Sequence, residues 1–338
     1  MNNRRSFLKT TGLALAASTL PLPYFAHAKP QKKLGVALLG LGGYATNNLA
    51  PALMQTKHIE LRGIVTGSPE KIPVWQEKYG IKDQNVYSYE TLPEIANNND
   101  IDVVYIVTPT FLHKKFAVMA ANAGKHVFCE KPPGRTLNDI VQIRASEEKS
   151  TETKLMFGFN HRYHPGVLRA KSIVDSGRMG KVIALRGLYG KSGGKIFSKS
   201  WRNDLEISGG GILLDQGIHM LDLFNYFLGG FTSVKSFLSN CQWSFDVEDN
   251  AVVILKNETD QLAMLHSSAT FWKHMFQLDI ILEHGYLKLE GLLSKTGSYG
   301  RETLVIGRRQ FEDEAEALGN PSEETIYFDN DMSWELEV

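Results

Sequence analysis

The feature that most restricts this chain is a glycine-rich turn, Gly40-Leu41-Gly42-Gly43-Tyr44-Ala45. It lies directly behind the apolar run Gly35-Val36-Ala37-Leu38-Leu39 and ahead of a helical stretch containing Leu49 and Leu53. The spacing is G-x-G-x-x-A. Without side chains at Gly40 and Gly42 the backbone can turn tightly and approach a pyrophosphate, which then rests on a helix N-terminus where unpaired N–H groups and the helix dipole favour negative charge. In its strand-turn-helix setting the motif predicts dinucleotide binding, with Gly40, Gly42, Gly43, Tyr44 and Ala45 at the cofactor.

The surrounding sequence fits that prediction. The apolar runs 34–39, 59–65, 103–107, 126–129 and 155–159 alternate with amphipathic stretches, the pattern of a parallel sheet with crossover helices. A doubly wound α/β domain of the Rossmann type is expected over residues 29–160. Past His161 the apolar runs 182–189, 251–255, 262–270, 276–282 and 286–289 are joined by short polar turns. Asn257-Glu258-Thr259-Asp260 and His284-Gly285 read as hairpin turns. Residues 161–338 are therefore expected to form an α+β domain with a mostly antiparallel sheet and helices on one face.

Bulk properties narrow the partners. A chain of 338 residues, 43% of them hydrophobic, is long enough for two domains with cores of their own. No stretch reaches the roughly 18 to 20 apolar residues of a membrane span, so a soluble mature protein is expected. Basic and acidic residues both number 37, which gives no surplus charge for nucleic acid and favours a small-molecule ligand. Residues 1–28 read as a twin-arginine export signal: Asn3-Arg4-Arg5-Ser6-Phe7-Leu8-Lys9, a small-residue apolar run from Thr10 to Leu20, and a closing Ala26-His27-Ala28. A periplasmic protein exported already folded is expected, with a cofactor loaded beforehand and retained. Cys129 and Cys241 are the two cysteines, too few for a disulfide framework, and buried free thiols are expected.

The strand tip after residue 65 chooses the cofactor. An acid there would bond a ribose 2′-hydroxyl and repel a 2′-phosphate. Thr66-Gly67-Ser68-Pro69-Glu70-Lys71 stands there instead, and the hydroxyls of Thr66 and Ser68 with the Lys71 ammonium favour NADP over NAD. Cys129-Glu130-Lys131-Pro132-Pro133 stands where the run 126–129 ends, at the carboxyl edge where open α/β sheets bind ligands. Gly209-Gly210-Gly211 introduces a helical run in which Asp215, His219 and Asp222 share a face, and Gly229-Gly230 ends it. A histidine near its ordinary pKa of about 6.5 can accept a proton at neutral pH, and a lysine beside the same oxygen favours developing negative charge. No carboxylate or cysteine falls at ligand spacing with the clustered histidines, so no metal is expected.

The chain resembles the glucose-fructose oxidoreductase and inositol dehydrogenase family over essentially everything after the signal. GLGGYA, the tripeptide Glu130-Lys131-Pro132 and the D-x-G-x-H element Asp215-Gln216-Gly217-Ile218-His219 occur in the family's order. The resemblance implies hydride transfer at a sugar or polyol carbon, with an open-faced C-terminal sheet for substrate binding and homo-oligomer contacts. By the same analogy Lys131 orients the reacting hydroxyl, His219 exchanges its proton and Asp215 positions the substrate. Thr108, Pro109 and His113 stand where relatives place residues over the nicotinamide, though His113 fits a solvated loop equally well. The segment Asn160 to Pro165 either lines the sugar site or packs at the hinge. Other features divide the relatives. The signal, Tyr44-Ala45 and Thr66-Gly67-Ser68 resemble the exported enzyme that alternately oxidises and reduces sugars, which carries Tyr in place of His219. The stretches after Glu130 and Gly158 look more like nucleotide-sugar dehydrogenases, and some exported relatives are glycoside hydrolases working by transient oxidation of the sugar. A cofactor-bound sensor without turnover is disfavoured by intact Lys131, Asp215 and His219. The chain ends at Trp334 to Val338, where relatives continue into further helices, so a C-terminally shortened form is expected.

Overall fold

In a computed structural model of the chain, residues 32–149, 152–194, 197, 199–309 and 321–338 are described. The expected export signal lies outside the described residues. Leu34–Val338 form one compact unit holding two sheets.

The first sheet has six parallel strands, β1 Leu34–Leu39, β2 Ile59–Val65, β3 Val86–Tyr87, β4 Val103–Ile106, β5 His126–Glu130 and β6 Leu155–Gly158, in the order β3-β2-β1-β4-β5-β6. This is the doubly wound order, whose chain reversal lies between β1 and β4. The five expected strands are present, and β3 adds a sixth. Successive side chains of β1 point to opposite faces, so both faces are buried. Val36 and Leu38 pack with Leu49 and Leu53, while Ala37 and Leu39 pack with Phe116, Ala117 and Ala120.

The second sheet has eight strands. They are β7 Val182–Gly190, β8 Ser233–Ser239, β9 Asn250–Lys256, β10 Leu262–Ser268, β11 Met275–Leu282, β12 Gly285–Glu290, β13 Glu302–Arg308 and β14 Glu323–Phe328, in the order β14-β13-β12-β11-β7-β10-β9-β8. Every pairing is antiparallel except β7 with β10. Both expected hairpins form: β9 turns into β10 around Asp260 and β11 into β12 at Gly285, each with positive φ. Helices Pro165–Asp175 and Ile218–Leu228 cover one face, where Val167, Ala170, Met220 and Phe224 meet Leu185, Leu265, Leu278 and Leu287. Gly187 permits this approach, since a Cβ there would lie 2.5 Å from the Met220 side chain.

The other face is uncovered among the described residues. Phe237, Val252, Ile254, Leu262 and Met264 are all exposed on it, in adjoining register on β8, β9 and β10. Finally, the helix Ser333–Glu337 returns to the first sheet, where Trp334 and Val338 pack against the cluster built on Val36 and Leu38. Cys129 is buried as expected. Cys241 is free but exposed, a departure explained by its place beyond the end of the uncovered strand β8. Among the described residues no helix is long and apolar enough to cross a membrane.

Candidate active site

A cavity of about 480 Å³ joins the carboxyl edge of the first sheet to the start of the helix Ile218–Leu228. One end of its wall is backbone. Gly40 turns out of β1 with φ +98°, and a Cβ there would lie 2.7 Å from the Val107 carbonyl oxygen, so this position requires glycine. Gly42 and Gly43 face the cavity; a Cβ on Gly42 would meet nothing within 4 Å. Thr108 lines the same end, and its Oγ1 is buried without a hydrogen-bond partner among the described residues. Open space at a glycine turn, beside an unpaired buried hydroxyl, fits a dinucleotide pyrophosphate.

The other predicted cofactor residues divide. Tyr44 and Pro109 line the cavity, and the Tyr44 hydroxyl accepts a hydrogen bond from Trp334 Nε1 at 2.8 Å. Ala45 is fully buried and serves packing under the turn. Lys71 Nζ donates to the Leu41 carbonyl at 3.1 Å, which brings the ammonium to the turn. Thr66 Oγ1 accepts from the Ser68 backbone N–H at 3.0 Å, and neither residue is on the cavity wall. His113 is buried, with Nδ1 2.8 Å from the Pro132 carbonyl and Nε2 2.8 Å from that of Thr108. Burial lowers its pKa, and a neutral ring donates only one of these bonds. His113 ties two loops together instead of lying over the cofactor or in solvent.

At the far end Lys131, Asp215 and His219 converge. Lys131 follows β5, and its Nζ donates to the Asp215 carbonyl at 2.8 Å and lies 3.5 Å from Oδ1. Lys191 bonds the other carboxylate oxygen, and Arg202 Nε donates to Oδ1 at 3.2 Å. Burial would raise the Asp215 carboxyl, but Lys191, Lys131 and Arg202 overcome it and hold it far below the usual carboxylate range. Burial also lowers Lys131, aided by the charges of Arg202 and Lys191 and opposed by Asp215. Glu130, beneath Lys131, accepts from the Tyr105 hydroxyl at 2.9 Å. Burial raises it to about 7 against the pull of that bond and of Lys131.

His219 departs from its expected ordinary pKa. It is buried, and its ring stacks on His161 with centroids 3.7 Å apart and planes inclined by 17°. Burial first, then the charges of Lys131, His164 and Lys191, push its pKa well below 6.5. Nδ1 is buried and unpartnered among the described residues, which leaves Nε2 to the cavity. Asp222 also departs from expectation. The segment Leu213–Gly217 is a π-helical turn, which rotates Asp215 out of the i, i+4, i+7 relation. Asp222 instead holds Arg162 through two bonds of 2.6 and 2.7 Å, outside the cavity.

The segment after β6 serves both readings left open for it. Asn160 and His161 line the cavity, His161 Nδ1 donating to Asn160 Oδ1 at 3.0 Å and Nε2 accepting from the Tyr189 hydroxyl at 2.8 Å. His164 is buried against Glu302 at 2.9 Å. Sequence reasoning passed over Lys191, Trp201, Arg202 and Trp334. The available signal was the stretch 190–203, which has four cations and no acid.

Residues 34–159 match the description "Oxidoreductase family, NAD-binding Rossmann fold", and residues 167–288 match "GFO/IDH/MocA C-terminal domain". A solved structure of aldose-aldose oxidoreductase from Caulobacter crescentus, complexed with glycerol, is 30% identical with a TM-score of 0.78, covering 90% of this chain and 87% of that one. This chain belongs to the GFO/IDH/MocA oxidoreductase family. Levoglucosan dehydrogenase from Pseudarthrobacter phenanthrenivorans is 32% identical over 218 residues, 62% of this chain and 54% of that protein. The chain thus matches about half the length of that curated relative. A levoglucosan dehydrogenase structure with NADH and levoglucosan, at 23% identity and a TM-score of 0.71 over 88% of this chain and 80% of that one, shares the fold.

Proposed function

We propose that this member of the family is an NADP-dependent oxidoreductase acting on a sugar or polyol. The observation that carries the reading is the meeting of Lys131, Asp215 and His219 in one cavity with the open glycine turn. Bound nicotinamide supplies the hydride acceptor or donor. Lys131, fixed by Asp215, presents an ammonium to the reacting oxygen and favours negative charge there. His219, neutral because it is buried among cations, takes the hydroxyl proton at Nε2 during oxidation and returns it during reduction. The sugar dehydrogenase and aldose oxidoreductase relatives support the substrate class.

NADP is favoured over NAD because Lys71 reaches the glycine turn and no acid ends β2. The bare apolar face across β8, β9 and β10 supports a homo-oligomer that covers it. The arginine pair at residues 4 and 5 supports periplasmic export with cofactor retained. Denaturing the purified protein and weighing the released dinucleotide tests cofactor and retention together, and sugars are then screened for a change in nicotinamide absorbance. Protein that contains and binds no dinucleotide would refute the proposal.

A further inference from the structure

The Lys131 end of the cavity holds more positive charge than its chemistry uses. Lys131, Lys191 and Arg202 share one carboxylate, Asp215. That leaves an excess of two positive charges among these four side chains. Glu248, next to this segment, is already engaged by the backbone N–H groups of Gly211 at 2.8 Å and Leu213 at 3.0 Å. Glu130 is held by Tyr105 and is raised to about 7 by burial, so it offsets the excess only in part. Lys131 has a role at the reacting oxygen, and Lys191 is closed off against Asp215 Oδ2.

Arg202 is different. Only its Nε is used by Asp215. Among the described residues neither Nη atom has a hydrogen-bond partner, and the side chain is 42% exposed. Its guanidinium lies over the Trp201 ring, 4.5 Å from the centroid, and both residues line the cavity. A planar fork of donors held over an indole is preorganised for an oxyanion, and the indole offers an apolar surface to a sugar ring. Unpaired positive charge in a partly enclosed cavity is costly, and an anion that completes it is bound the more strongly for that reason.

We propose that the substrate is an anionic monosaccharide, carrying a carboxylate or phosphate that Arg202 receives while a hydroxyl elsewhere on the ring meets Lys131 and His219. This inference rests on the oxidoreductase reading of the cavity. The test uses the full-length protein with its dinucleotide and compares glucose, glucuronate and glucose 6-phosphate, both as substrates and as ligands in calorimetry. One of the two anions is expected to exceed glucose by about tenfold or more in affinity and in kcat/KM. Which anion does so identifies the group. Arg202→Gln is expected to reduce that ratio about tenfold, and Arg202→Lys, which keeps the charge and loses the fork, to reduce it less. Added salt weakens anion binding to the unmutated protein and leaves glucose binding unchanged, a measurement independent of any variant's folding.

If glucose is oxidised and neither anion is preferred, or the preference survives Arg202→Gln, the inference is overturned and the oxidoreductase reading stands. Arg202-dependent anion binding without oxidation of any sugar would leave the anion site standing and overturn hydride transfer.

Discussion

At one end of the cavity the wall is backbone, with Gly42 and Gly43 leaving open space; at the other it is side chain, with three cations around Asp215 and two stacked imidazoles. The backbone end depends on one local motif and can be built by any strand-turn-helix with the right glycines. The side-chain end draws on residues far apart in sequence: the Lys131 to Asp215 contact spans 84 positions. Binding and chemistry should therefore fail separately when each end is damaged.

The largest expected effect is at the charged end. Lys131→Ala removes the ammonium that, among the described residues, lines the cavity and bonds Asp215, and kcat should fall by about 10³ or more. Dinucleotide affinity, set mainly by the glycine end, should change by less than about tenfold. Equal losses of binding and turnover would break the comparison.

The glycine end allows a sharper contrast between neighbours. Gly42→Leu places a side chain in open space at the cofactor position. Dinucleotide affinity should drop by about 100-fold with the melting temperature of the nucleotide-free protein unchanged. Gly40→Ala does the opposite, because φ is +98° and the new Cβ meets the Val107 carbonyl oxygen. It should cost stability by about 1 to 3 kcal/mol. Calorimetric titration and thermal melts separate the two, and a shared phenotype would show that the turn acts only as structure.

How far the sequence reached follows the same division. The glycine spacing, the alternation of 34–159 and the two hairpin turns are local signals, and each was legible. Strands β8, β13 and β14 were not. All of β8 is exposed and so lacks a buried alternation; β14 begins with two acids, and β13 begins with Glu302, whose burial is explained by His164 and the backbone N–H groups of Gly166 and Leu293. The site residues on Lys131, Asp215 and His219 were readable as a motif, but their electrostatics were not. An i, i+4 spacing assumes 3.6 residues per turn, and the π-helical turn at 213–217 changes which residues share a face. His161 beneath His219, and Lys191 beside Asp215, come together only through tertiary packing.

His219 supplies a pH test of that packing. Its pKa is lowered, so it stays neutral well into the acid range. The acid limb of kcat/KM for oxidation should therefore fall below pH 6.5, where an exposed histidine would place it near 6.5. Placing a smaller neutral group under the ring, as in His161→Asn, admits water and should move the limb upward toward 6.5. A limb already at or above 6.5 in the unmutated protein would remove His219 as the titrating base.

Glu130, the last residue of β5, joins the two ends, since it lies beneath Lys131 and accepts from Tyr105 of β4. Gly158 makes room for it: a Cβ there would lie 2.9 Å from the carboxylate. Because burial raises the folded-state pKa to about 7, above the usual carboxylate range, the folded protein holds this proton more tightly than the unfolded chain. The stability linked to that proton is fully present below about pH 4.5 and is lost as pH rises through 7. Glu130→Gln keeps an oxygen to accept from Tyr105 and never ionises. It should therefore change stability little at pH 5 and add about 2 to 3 kcal/mol at pH 8. Denaturant unfolding at the two pH values measures the difference directly. An equal gain at both would mean that Glu130 is ionised throughout, with Lys131 outweighing burial, and the charged end would then extend beneath β5 toward the glycine turn.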